Sequence, residues 1–160
     1  MKRASEEDTK TNKKAKHVKF LIFGGASGWI GQKLVALCEN RGLEYAIAES
    51  RMECREAVQR ELLRKNITHV LLAAGITGRP TVDWCEDHKQ ETIRSNVIGT
   101  LSVIDICYQQ QIHVTNFATG CIFGYDDDHP IGGKGFTEQD LPNFDGSFYS
   151  KTKVFFLKKK

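Results

Sequence analysis

The apolar positions of this chain change period several times. Val18-Lys19-Phe20-Leu21-Ile22-Phe23 is a short, nearly continuous apolar run that predicts a buried strand. Ile30, Leu34, Val35 and Leu37 then recur at helical spacing. Tyr45-Ala46-Ile47-Ala48 predicts a second strand. Residues 53–65 predict a charged amphipathic helix with Ala57, Val58, Leu62 and Leu63 inward. His69 to Ala74 predicts a third strand, residues 91–110 a long helix, and Ile112 to Phe117 a fourth strand. Residues 124–146, rich in Gly, Asp and Pro, predict a long loop, with a last helix starting near Ser147.

Strands alternating with helices predict an α/β fold: a Rossmann-like doubly wound parallel sheet with helices on both faces. Right-handed crossovers suggest the strand order 3-2-1-4, with a ligand crevice between strands 1 and 4 at their carboxyl ends. Residues 1–17 lack apolar periodicity and read as a disordered basic tail, leaving 18–160 as one domain. Within that tail, Lys13-Lys14-Ala15-Lys16 also fits a nuclear-localisation patch, although a solvated lead-in is the simpler reading.

Composition narrows the function classes. The net charge of +3 is a property of the ends: residues 1–19 hold seven Lys/Arg against three acids, and Lys158 to Lys160 close the chain. The body is slightly acidic, which argues against nucleic acid as a partner. No apolar run approaches the ~18 residues of a membrane span, and no apolar leader opens the chain. The five cysteines form no metal or disulfide pattern, so no metal is expected and a reduced, cytoplasmic setting is the simple reading.

Between the first strand and first helix lies Gly24-Gly25-Ala26-Ser27-Gly28-Trp29-Ile30-Gly31, a G-x-x-G-x-x-G loop in the context of a dinucleotide site. Gly25 is assigned the tight turn, Gly28 the close approach to a pyrophosphate, and Gly31 the close packing of helix on strand. Ser27, Trp29 and Ile30 complete the cofactor-facing set. After strand 2, Glu49 is placed to hold a ribose and Arg51 to hold a 2′-phosphate. We favour Arg51, hence NADP(H), with NAD(H) as the alternative. Ala73, Ala74 and Gly75, at the end of strand 3, let a cofactor pass close to backbone.

Tyr149 and Lys153 are four residues apart and share a helix face. A lysine ammonium there favours the phenolate, lowering a tyrosine pKa that starts near ~10 and making Tyr149 a proton donor to a carbonyl. Thr119, just past strand 4, offers a hydroxyl to the same carbonyl.

The glycine loop, Thr119, Tyr149 and Lys153 together resemble an extended short-chain dehydrogenase/reductase. Longer strings narrow this: Ala73-Ala74-Gly75-Ile76-Thr77-Gly78-Arg79-Pro80, Val82-Asp83-Trp84-Cys85-Glu86, Phe117 through Phe123, and Asn143 through Lys153. From about Lys19 to Val154 the chain is similar to the nucleotide-rhamnose synthase/epimerase-reductase family, related to dTDP-4-dehydrorhamnose reductase.

The resemblance implies 3,5-epimerisation and then 4-reduction of a UDP- or dTDP-linked 4-keto-6-deoxyglucose with NADPH or NADH. It implies Thr119, Tyr149 and Lys153 as the reductase triad and Cys121 as the epimerase cysteine. Thr77, Arg79, Asp83 and Trp84 would lie near the sugar nucleotide. A homodimer is a further expectation. Family members continue beyond Val154, so the resemblance also implies a C-terminal truncation, with strand 4 left as an apolar edge. A non-catalytic NAD(P)-binding regulator is the competing reading.

Overall fold

A computed structural model describes residues 17–137 and 139–154. The basic tail and the final Phe155-Phe156-Leu157 segment lie outside the described residues. Four parallel strands form one sheet: β1 (Lys19–Phe23), β2 (Glu44–Ile47), β3 (His69–Leu72) and β4 (His113–Asn116). Helix α1 (Trp29–Asn40) joins β1 to β2, and α2 (Arg55–Arg64) joins β2 to β3.

The order is β2-β1-β3-β4, not 3-2-1-4. The two orders differ in where the direction of travel reverses. A right-handed crossover puts its helix on a face set by the direction of travel. Stepping from β1 to β2 places α1 on one face; returning past β1 to reach β3 places α2 on the other. In 3-2-1-4 the reversal would come one crossover later, after β3, and α2 would share a face with α1. The observed order sets α2 against α5 (Thr100–Gln109), across the sheet from α1. It also moves the topological switch point. The crevice opens between β1 and β3, with β4 beyond, rather than between β1 and β4.

Register explains the core. Leu21 is opposite Val70, and Phe23 is opposite Leu72. These four share one face and pack with Val58, Leu62, Val103 and Ile106 from α2 and α5. Ile22, one residue out of phase, points to the α1 side, where it lies against Gly25. The inward face of α2 is not quite as its period suggests. Leu62 is 1% exposed but Leu63 is 64% exposed, and Glu61 is buried in its place. In α1, Ile30 and Leu37 are also largely exposed, and Gly31 and Cys38 take the buried positions.

The predicted long helix is α4 (Lys89–Ile93), a π-helical stretch Arg94–Gly99, and α5 in succession. A short α3 (Trp84–Asp87) precedes it, unanticipated. The last described helix is α6 (Phe148–Val154). β4 is a sheet edge, but His113 and Thr115 make one of its faces polar and exposed. The expected apolar edge is therefore apolar on one face only.

Candidate active site

The glycine loop turns at Gly24, not Gly25. Gly24 has φ +84°, and a Cβ there would lie 2.7 Å from the Ala73 carbonyl oxygen. The left-handed turn and the contact with β3 both require glycine. The Gly28 N–H donates to the Gly24 carbonyl at 2.9 Å, and a Cβ on Gly31 would collide with that same carbonyl. The three glycines thus wrap the β1–α1 turn around one peptide oxygen. The loop stays close to the backbone of Ala73 and Ala74, and Gly28 caps a helix whose first N–H groups face the loop. Trp29 is 75% exposed and carries Lys33 over its ring; Ser27 and Ile30 are also exposed.

At the end of β2 the two candidate residues are both occupied. Glu49 accepts from Arg64 at 3.0 Å and from Lys65 at 2.8 Å, so its carboxylate is turned onto α2. Arg51 donates through Nε to Glu53 at 2.8 Å. Glu61, unforeseen from sequence, organises the turn. It accepts the N–H groups of Glu49 and Ser50 and the Lys65 ammonium at 2.6 Å. Burial raises its pKa, but these bonds prevail and hold it at about 2.

At the other end of the crevice, α6 swings Tyr149 and Lys153 in from beyond β4. Ser147 accepts the Ser150 N–H at 3.0 Å, an N-cap bond three residues into the helix. The Ser150 hydroxyl donates to the Cys121 carbonyl at 2.5 Å, and the Phe148 N–H donates to Glu86. These contacts pin the start of α6 to the β4 loop and to α3. Tyr149 and Lys153 are 5% and 7% exposed.

Thr119 lies close enough to the Tyr149 phenol to favour its charged form. Burial pushes the Tyr149 phenol upward, Thr119 opposes this, and the nearby Cys121 and Cys85 sulfurs add to it. Burial pushes the Lys153 ammonium down. The expected lowering of the tyrosine by its lysine is thus not what this geometry does. Lys153 Nζ sits 5.9 Å from the Tyr149 ring centroid, and desolvation favours the neutral phenol.

Lys153 reaches instead to the end of β3. A Cβ on Gly75 would lie 3.0 Å from its Nζ. Among the described residues that ammonium has no hydrogen-bond partner, although its side chain is nearly buried. A cationic donor without an acceptor, next to a glycine that clears its path, fits the ribose hydroxyls of a dinucleotide whose phosphates lie over the glycine loop. The residues present therefore fit the cofactor.

Asn96, fully buried in the π-helical stretch, is a second residue the sequence reading missed. It accepts the Ile76 N–H at 2.8 Å and donates to the Ile76 carbonyl at 2.9 Å. This two-way bond fixes the strand just past Gly75. Its neighbours Arg94, Ser95 and Thr92 are polar as well, so nothing in the local pattern marked it as buried.

Thr119 and Cys121 are adjacent, the Cys121 N–H donating to Thr119 Oγ1 at 3.2 Å. Cys121 is an exposed free thiol. Thr77, Arg79 and Asp83 are exposed; Asp83 accepts from Thr81, and Trp84 stacks on His88 at 3.7 Å. The structure brings Thr119, Cys121, Tyr149, Lys153 and Gly75 together. It places Thr77 through Trp84 on the neighbouring loop. Among the described residues no His/Cys/Asp/Glu cluster has metal-site geometry, and no helix is long and apolar enough to cross a membrane.

The chain is similar to known proteins in sequence and in fold. A family model described as NAD dependent epimerase/dehydratase matches residues 21–158. The chain is 53% identical over 138 residues to the Arabidopsis thaliana trifunctional UDP-glucose 4,6-dehydratase/UDP-4-keto-6-deoxy-D-glucose 3,5-epimerase/UDP-4-keto-L-rhamnose-reductase RHM1, covering 86% of this chain and 20% of that protein. It is 53% identical over 136 residues to the Arabidopsis bifunctional dTDP-4-dehydrorhamnose 3,5-epimerase/dTDP-4-dehydrorhamnose reductase, covering 84% and 45%. The crystal structure of the L780 UDP-rhamnose synthase of Acanthamoeba polyphaga mimivirus superimposes with a TM-score of 0.73 at 37% identity, covering 87% of this chain and 50% of that one. The chain thus spans half or less of the length of these relatives.

Proposed function

Because the chain belongs to the NAD dependent epimerase/dehydratase family, we propose that the described residues are the cofactor-binding and catalytic half of a nucleotide-sugar 3,5-epimerase/4-reductase. Its substrate is a nucleotide-linked 4-keto-6-deoxyglucose and its product a nucleotide-linked L-rhamnose. The observation that carries the reading is the meeting of three side chains from distant sequence at one crevice. Thr119 comes from the end of β4, and Tyr149 and Lys153 from α6, beside the Gly75 end of β3. The identity to rhamnose-forming relatives supports the choice of sugar.

In this reading the reduced nicotinamide supplies a hydride to the C4 carbonyl carbon. Tyr149 donates its phenolic proton to the carbonyl oxygen. Burial suits it to that task, because the phenol stays protonated until the oxygen develops charge. Thr119, beside the phenol, offers its hydroxyl as a second donor to the same oxygen. Lys153 holds ribose hydroxyls and places positive charge behind the phenol. Cys121, exposed on the same loop, exchanges the acidified protons beside the ketone during epimerisation. Thr77, Arg79, Asp83 and Trp84 line the sugar-nucleotide side.

Arg51, its terminal nitrogens open to solvent, faces a 2′-phosphate and favours NADPH over NADH. The reading takes the enzyme to be cytoplasmic and to act as a homodimer. The test is incubation of the chain with NADPH and UDP- or dTDP-4-keto-6-deoxyglucose, following loss of nicotinamide absorbance and appearance of the rhamnosyl product. Turnover abolished in Tyr149→Phe supports the reading. NADPH binding without any turnover leaves a regulator in place of the enzyme.

A further inference from the structure

The loop after β2 is held from both sides. Glu61 takes the N–H groups of Glu49 and Ser50. On the far side Met52, 5% exposed, docks on the π-helical stretch, where a Cβ on Gly99 would lie 3.0 Å from the Met52 Cβ. The Cys54 N–H closes a turn onto the Arg51 carbonyl at 3.0 Å. Arg51 therefore projects from a fixed backbone corner. Its side chain is 79% exposed, while that of its partner Glu53 is only 14% exposed. The carboxylate binds Nε at 2.8 Å and leaves the two terminal nitrogens of the guanidinium open.

Glu53 is itself anchored. Burial raises its pKa, but the Arg51 bond, its own backbone N–H and the charges of Arg51 and Arg94 hold it below the usual range. Two cations thus share one anion, and the cluster keeps a net positive charge. The acid that would compete for a free 2′-hydroxyl, Glu49, is turned away onto Arg64 and Lys65.

From this geometry we infer that Glu53 is a positioning residue, which fixes the Arg51 guanidinium with its terminal face toward a 2′-phosphate and so sets the preference for a phosphorylated dinucleotide. The inference rests on the cofactor reading above. A carboxylate on Nε removes the rotational freedom of a long, exposed side chain; a phosphate then meets a pre-oriented fork at lower entropic cost. An arginine with no such partner would spend most of its time elsewhere.

The experiment is direct titration of the chain with NADPH and with NADH, by nicotinamide fluorescence, for the unaltered protein and for Glu53→Ala, Glu53→Gln and Arg51→Ala, with melting curves in parallel. Glu53→Ala is expected to weaken NADPH about fivefold, the upper end of what one exposed ion pair is worth, and to leave NADH within about twofold. Glu53→Gln, which keeps an amide oxygen for Nε, is expected to restore most of the NADPH affinity. If Glu53→Ala weakens both cofactors equally, Glu53 only supports the loop and the inference is overturned. Unchanged or tighter NADPH binding in Glu53→Ala overturns it too, since the carboxylate would then merely neutralise Arg51. If Glu53→Ala does not fold, Glu53→Leu, which keeps the bulk but offers Nε no acceptor, decides: an NADPH/NADH ratio equal to that of the unaltered protein overturns the inference, and a ratio lowered, though less than in Arg51→Ala, supports it. If the unaltered protein shows no NADPH preference and Arg51→Ala has no effect, the underlying cofactor reading fails. If Arg51→Ala abolishes a preference that Glu53→Ala leaves intact, only the inference fails.

Discussion

The two ends of the crevice are built by opposite means. At the β4–α6 end, Tyr149 and Lys153 are almost wholly buried, and neither is paired with an opposite charge among the described residues. Position there comes from peptide groups: Ser147 and Ser150 on α6, and Asn96 on Ile76. At the β2 end, Glu49, Glu61, Arg64 and Lys65 form one connected ionic network, and Arg51 pairs with Glu53. The difference follows from what each end must do. A proton donor needs a neutral phenol in a low-dielectric setting, and neighbouring ions would fix its charge too early. The loop after β2 is held by charge-assisted hydrogen bonds to the Glu61 carboxylate, with Met52 buried beside it.

The largest test of this contrast is Tyr149→Phe. Loss of the proton donor is expected to lower turnover about 10²–10⁴-fold, with a melting point nearly unchanged, read by paired rate and unfolding measurements. A large loss of stability would mean the hydroxyl is structural. Next is Glu61→Leu, which takes the acceptor from two N–H groups and leaves Lys65 to Glu49 and the Ile47 carbonyl. It is expected to cost about 3 kcal/mol by denaturant unfolding, several times the loss from removing the exposed Glu49–Arg64 pair.

The same network predicts an acid limb. Glu61 sits at about 2 in the folded chain, below its ordinary value of 4.5. As pH falls, the unfolded chain takes up the proton first. The stabilisation is therefore complete above about pH 4.5 and is lost as pH drops toward 2, a limb of order 3 kcal/mol. Unfolding curves between pH 2 and 6 should show this limb flattened in Glu61→Gln; an unchanged limb would assign it to other carboxylates. Asn96→Ala, which leaves both polar groups of Ile76 unpaired, is expected to cost about 2–3 kcal/mol and to weaken both cofactors. Smallest is Ser150→Ala, at about 1 kcal/mol, with a greater proportional loss in turnover than in stability because Cys121 and the start of α6 separate. Equal losses in the two would remove the positional role.

The strand segments, the glycine loop and the Tyr149–Lys153 spacing were legible because each is a local pattern. An apolar run bounded by glycines makes a strand and turn wherever it is placed, and a four-residue spacing on a helix always shares a face. Strand order was not legible in this way. Each crossover obeys the same handedness rule in either direction, and both orders cover both faces; what sets β2-β1-β3-β4 apart is that α2 packs beside α5 on the face that carries Leu21 and Val70. The α2 stripe failed at one residue for a related reason. Leu63 fits the period, but the turn after β2 needed a buried acceptor, and Glu61 took the inward place with Lys65 as its counterion.

By itself, the sequence determined the alternation of strand and helix, the glycine run from Gly24 to Gly31 between the first strand and helix, and the placing of Tyr149 and Lys153 on one helix face. Those depend on residue type and short spacing. Tertiary structure decided which loops face each other. It decided that Gly75, more than seventy residues from Lys153, clears the path for its ammonium, and that Asn96 and Ser150 act as fasteners. It also reversed the expected shift of Tyr149. A lysine four residues along a helix is near in sequence, but burial acts on both groups at once, and desolvation outweighs a charge held beside the ring rather than at the hydroxyl.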